Sequence, residues 1–106
     1  MASDLKTAYG PLAAVNATVG PIAYANGFVS LYLGGTFVGT VQVVANSNLS
    51  PSGNVPIIPL GATSASITAP GLYYFPRIAG DFSYTVLMTA YTSGTAEAVL
   101  SCCPSF

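Results

Sequence analysis

Three carboxylates, one lysine and one arginine are the charged side chains of this 106-residue chain: Asp4, Asp81, Glu97, Lys6 and Arg77, with no histidine at all. Hydrolysis of a glycosidic bond needs two carboxyl groups held about 5 to 9.5 Å apart around the sugar linkage. Asp81 and Glu97 are the pair to consider, but the sequence offers no surrounding set of residues to tune their proton affinities apart. Solvated surface carboxylates are the expectation for both. Serine and threonine are plentiful, yet a hydroxyl nucleophile without histidine must borrow an amine. Lys6 alone offers one, near the N-terminus. Neither a nucleophile elbow nor a phosphate-binding loop occurs, since Gly34, Gly35 and Gly39 have no following Lys-Ser or helix pattern. No catalytic, cofactor-binding or metal-binding residue is therefore assigned, and the chain is expected not to be an enzyme.

Arg77 and Asp81 are spaced to pair across a turn. As an exposed pair they would contribute about 0–1 kcal/mol. Cys102 and Cys103 are adjacent, and neighbouring cysteines bridge only through a strained ring, so two reduced thiols at the end of a last strand are expected. Intermolecular contact or palmitoylation are the alternatives. Further thiolates or imidazoles for a metal are lacking. Seven tyrosines raise a sugar-stacking reading, centred on Tyr73, Tyr74 and Phe75 with the 46–56 loop. Half-buried strand tyrosines are the plainer reading of the same residues. Asn16-Ala17-Thr18 and Asn48-Leu49-Ser50 match glycosylation sequons, which matter only in a secreted chain.

Composition narrows the class further. Hydrophobic residues make up 52% and charged ones 5%, the reverse of a disordered chain. Two basic side chains cannot neutralise a run of phosphates, so nucleic acid is excluded as a partner. The mean hydropathy of +0.63 suggests a membrane. However, the most apolar window, Phe28 to Ala45, is broken by Gly34, Gly35 and Gly39 and interleaved with Ser30, Thr36, Thr40 and Gln42. A spanning helix needs about 20 predominantly apolar residues, and a membrane barrel needs eight or more strands of about ten residues each. Neither is expected. A basic segment leading into an apolar run is missing, so the chain is expected not to be secreted. So neutral a surface suits a subunit covered by copies of itself or by a larger assembly.

Short runs of Val, Ile, Thr, Tyr and Phe bounded by Gly, Pro, Asn and Ser predict strands throughout. Residues 1–27 are expected to form an N-terminal arm or extended lead-in, its first part ending at Gly10-Pro11, with residues 28–106 as the core of a single domain. In 28–33, Val29, Leu31 and Leu33 alternate with Phe28, Ser30 and Tyr32. Asn26-Gly27, Gly34-Gly35, Ala79-Gly80-Asp81 and Ser93-Gly94 are expected as turns, and Gly39 as a bulge. Pro56 and Pro59 confine 55–60 to an edge or irregular strand. Further strands are expected at 36–45, 64–68, 72–77, 82–92 and 95–101. Eight or so short strands predict an antiparallel β-sandwich of jelly-roll or immunoglobulin-like type.

From Gly71 the sequence runs GLYYFPRIAGDFSYTVLMTAYTSGTAEAVLS, with a G-x-Y-x-x-P strand and a later T-A-Y-T-S-G-T-A. Upstream stands SLYLGGTFVGTVQVVANSN, with the pattern G-T-F-x-G-T-V. Over 28–48 and 71–101 the chain resembles small β-sandwich virion proteins of tailed bacteriophages and prophages, among them capsid cement (decoration) proteins. It departs from them where Ser83-Tyr84-Thr85-Val86 replaces a stretch that tends to carry Arg. The resemblance implies a virion structural protein without catalysis, commonly a homotrimer on the capsid exterior bound to the major capsid protein and made in the host cytoplasm. A tail or baseplate component, or a carbohydrate-binding receptor-recognition module, is the alternative.

Overall fold

The computed structural model describes residues 6–47, 55–76 and 78–103, and every regular element among them is a β-strand. The strands are β1 (Lys6–Leu12), β2 (Thr18–Ser47), β3 (Val55–Pro56), β4 (Gly71–Tyr74) and β5 (Ile78–Cys103). All their pairings are antiparallel. The two long strands organise everything else. Phe28 to Ser47 of β2 runs against Cys103 to Phe82 of β5, forming one continuous ribbon.

Two ladders are built on this ribbon. At one end β1 pairs with 96–102 of β5, which pairs with 29–35 of β2, which pairs with β4. At the other end, 18–25 of β2 pairs with 81–87 of β5. That segment pairs in turn with 42–47 of β2, and β3 lies against Val44 and Ala45. The inward side chains of the first ladder include Leu12, Val29, Leu31, Leu33, Ala98, Leu100 and Cys102. Those of the second include Val19, Ile22, Val41, Val43, Tyr84, Val86 and Met88, and all join one core with Ile67 and Phe75. The fold is all-β and antiparallel, with a sandwich-like arrangement. Alternation explains it: each strand places every second residue in the core. Burying each large apolar side chain contributes about 1.5–3 kcal/mol.

The expected alternation over 28–33 holds, with Val29, Leu31 and Leu33 buried and Tyr32 exposed. The expected bulge at Gly39 also holds, as a register shift between Val38 and Gly39. The expected turn at Gly34-Gly35 does not form, nor the one at Ser93-Gly94. Gly35 opposes Ala96 and Gly94 opposes Phe37, both inside the ribbon, with φ of 86° and 85°. These glycines bend the ribbon from one ladder into the other rather than reversing the chain. A Cβ on Gly35 would lie 2.5 Å from the Thr95 carbonyl oxygen, and one on Gly94 would collide with that of Thr36. Close backbone approach at a bend is thus what their lack of a side chain allows.

Asn26-Gly27 and Ala79-Gly80-Asp81 are likewise strand rather than turn. At Gly27 and Phe28, β2 changes partner from Ile78 to Cys103. The expected strand at 64–68 contracts to a single bridge between Ile67 and Val41. The expected division at residue 27 has no counterpart in the described residues. β1 is paired along its whole length, straight through Gly10 and Pro11, and Leu12, Val19 and Ile22 lie in the common core. Residues 6–27 are integral to the fold because burying those three side chains outweighs leaving the segment free. Residues 1–5 lie outside the described residues.

Candidate functional site

The expected chemistry of charged groups is dispersed by this fold. Glu97 is exposed, opposite Pro11 and Gly34 in the first ladder, while Asp81 pairs with Ala25 in the second. The two acids do not share a ladder. Asp4 and Arg77, and with Arg77 the expected Arg77–Asp81 pair, lie outside the described residues. The Lys6 ammonium donates a hydrogen bond to the Ala23 carbonyl at 3.1 Å, tying the edge of the first ladder to that of the second. Among the described residues no three His, Cys, Asp or Glu side chains stand together as metal ligands would. Among the described residues no helix is long and apolar enough to cross a membrane.

Asn16 of the first sequon has a φ of 69° in the turn between β1 and β2, and its backbone N–H donates to the Met88 carbonyl at 2.8 Å. The second sequon, and most of the 46–56 loop, lie outside the described residues. Cys102 is buried and is not part of a disulfide. Across the sandwich from it stands Tyr84, fully buried, whose Oη has no hydrogen-bond partner among the described residues. Burial, with a further push from Cys102, raises the Tyr84 phenol to about 12. Both groups lie inside the core and are structural in character.

The solvent face of the first ladder is different. Its outward residues form rows set by register. Tyr9, Val99, Tyr32 and Leu72 are consecutive across the four segments, and the next row is Thr7, Ser101, Ser30 and Tyr74. Beyond the first row, on the other side, come Pro11, Glu97 and Gly34. Tyr9 is 79% exposed, Leu72 64%, Tyr74 51% and Tyr32 50%. The Leu60 N–H donates to the Tyr74 carbonyl at 2.7 Å, so exposed Leu60 continues the face beyond β4. The Tyr32 ring covers Gly34, which is buried although it faces outward. A Cβ built on Gly34 would lie 2.7 Å from Tyr32 Oη and 3.1 Å from the ring carbon that bears it. The ring therefore lies down along the sheet and turns a face to solvent.

The sequence reading placed its aromatic site at Tyr73, Tyr74 and Phe75, and the structure keeps only Tyr74 on this face. Phe75 is buried in the core, and Tyr73 packs against it while its hydroxyl donates to the Ala69 carbonyl at 2.6 Å. Tyr9, Tyr32 and Leu72 were missed, because cross-strand register is not written in any one segment. One local signal existed: tyrosine followed two residues later by glycine within a strand puts a bare backbone position beneath a ring on the same face.

No protein-family model matches the chain, and no curated protein matches it. Among solved structures it is similar to the SPBc2 prophage-derived protein YomS, with a TM-score of 0.60 and 10% sequence identity. The similarity covers 96% of this chain and 97% of that one. At that identity the likeness is one of fold. It extends through the strands at both ends of the chain, as expected of a single architecture shared over its full length.

Proposed function

We propose that this chain is a non-enzymatic structural subunit of a phage particle, and within that class a capsid cement protein that binds the major capsid protein on the shell exterior. The observation that carries the reading is the whole-length likeness of fold to a prophage-derived protein. A chain with five charges in 106 residues supports it, because such a surface is suited to being covered. We read the ladder orders as a jelly roll rather than an immunoglobulin-like sandwich. Counting the paired segments along the chain, the ladders run first–eighth–third–sixth and second–seventh–fourth–fifth, the order left when one long antiparallel ribbon is rolled up.

In this reading the chain assembles as a homotrimer. The edge of β1, which among the described residues is paired only with β5, is the surface that accepts a strand from a neighbour, where main-chain hydrogen bonds supply the affinity. Contacts between neutral surfaces should depend little on ionic strength. Two measurements test the proposal. Density maps of intact particles should place the chain on the outer shell at positions in contact with the major capsid protein, and a particle lacking it there overturns the cement role. Sedimentation at low and high salt should show one oligomer at both; a monomer at micromolar concentration, or dissociation by salt, refutes the assembly.

A further inference from the structure

We propose that the outer face of the first ladder is a binding platform for a neutral polysaccharide, with Tyr9 and Tyr32 as its stacking residues. The inference does not rest on a place in the virion. Tyr9 and Tyr32 stand in one row on either side of Val99, two strand spacings or about 10 Å apart, a separation that lets one extended sugar chain touch both rings. Gly34 leaves room for the Tyr32 ring to lie along the sheet, so it offers its π-face, the surface on which the C–H groups of a pyranose ring pack. The adjoining row of Thr7, Ser101, Ser30 and Tyr74 supplies hydroxyls, which donate to and accept from sugar hydroxyls alike.

Charge and size both select this class of ligand. Glu97 is the one charged group in these rows, and no cation stands among them to attract an acidic polymer. The exposed apolar area of the four large side chains is on the order of 500 Å², at the upper end of what monomers leave uncovered. A stable protein–protein contact buries about 800 Å² on each partner, more than these four side chains supply on their own. A flat, neutral, polyhydroxylated chain matches it better than a second copy does.

Interferometry on immobilised dextran, glucomannan and β-1,4-galactan, with polygalacturonate as the acidic counterpart, tests the proposal on the purified protein. At least one neutral polymer should bind. Tyr9→Ala and Tyr32→Ala should each weaken binding about tenfold, roughly what loss of one ring contact with its buried area amounts to. Tyr32→Phe should retain affinity. Gly34→Ala should lose it while melting normally, because the added methyl meets only the far end of the Tyr32 side chain. Absence of binding to all three neutral polymers, preference for polygalacturonate, or full affinity in the tyrosine-to-alanine variants overturns the proposal. So does a sedimentation shift to smaller species in those variants, which would make the face a contact between copies.

Discussion

Removing a single oxygen from the core should make this protein more stable. Tyr84 lies between Ile22 and Ala45 in the second ladder. It is fully buried, and its hydroxyl lacks a hydrogen-bond partner among the described residues. Leaving such a group unsatisfied opposes folding by about 1–3 kcal/mol. Tyr84→Phe keeps the ring and deletes the oxygen, and the small void left behind subtracts only a few tenths of a kcal/mol at about 24 cal/mol per Å³. The expected net gain is about 1–2 kcal/mol, read as a higher urea midpoint at unchanged slope at pH 7. The alkaline limb gives an independent check. The phenol ionises near 10 when unfolded but near 12 when folded. Above pH 10 the unfolded chain therefore holds fewer protons than the native one, and stability falls as pH rises. The loss reaches about 2 kcal/mol by pH 12 and levels off only above it, the limiting slope being about 1.4 kcal/mol per unit. Other titrating groups are common to both proteins, so the gap between variant and parent should widen by that amount between pH 10 and 12. A variant less stable than the parent at pH 7, or two pH curves that run parallel, would refute the reasoning.

Deleting residues 1–11 should lower the melting temperature sharply or abolish folding, because it removes β1 and bares the edge of 96–102; a truncated protein that melts normally would restore the arm interpretation. Gly94→Ala should destabilise by more than the roughly 1–2 kcal/mol of a left-handed non-glycine residue, since its Cβ also collides with the Thr36 carbonyl; denaturant titration reads this directly. Leu31→Ala, at a fully buried core position, should cost about 2–5 kcal/mol in the same titration. In a Cys103→Ser background, Cys102 should react with a thiol reagent only at the rate of unfolding, and fast modification of the native protein would show that it is not buried.

Local sequence carried the strands well and the bends poorly. The alternation of Val29, Leu31 and Leu33 needs only two residues of context, and the prolines at 56 and 59 shorten β3 by removing backbone donors. Gly34-Gly35 and Ser93-Gly94 offer the same positive-φ freedom to a hairpin turn and to a bend in a continuing strand. What decides between them is whether a partner strand lies alongside, and that partner is some sixty residues away in the sequence. Residues 6–27 looked like a lead-in because Leu12, Val19 and Ile22 are separated by small residues and show no period. Their burial depends on what the rest of the chain places opposite. The tyrosine face was hidden for the same reason: its four row members come from four separate segments.

Lys6 stands opposite Cys102 at one end of the antiparallel pair of β1 with β5, which fixes how the fold meets mechanical load. The described chain enters and leaves at neighbouring points. Traction applied through those two points pulls β1 and β5 apart like a zipper, opening the hydrogen bonds one pair after another from the Lys6 end. Traction from one of those points against the far bend at Phe37 and Gly94 loads the strands along their length, and many hydrogen bonds must then fail together. The same domain is therefore weak or strong according to where it is held.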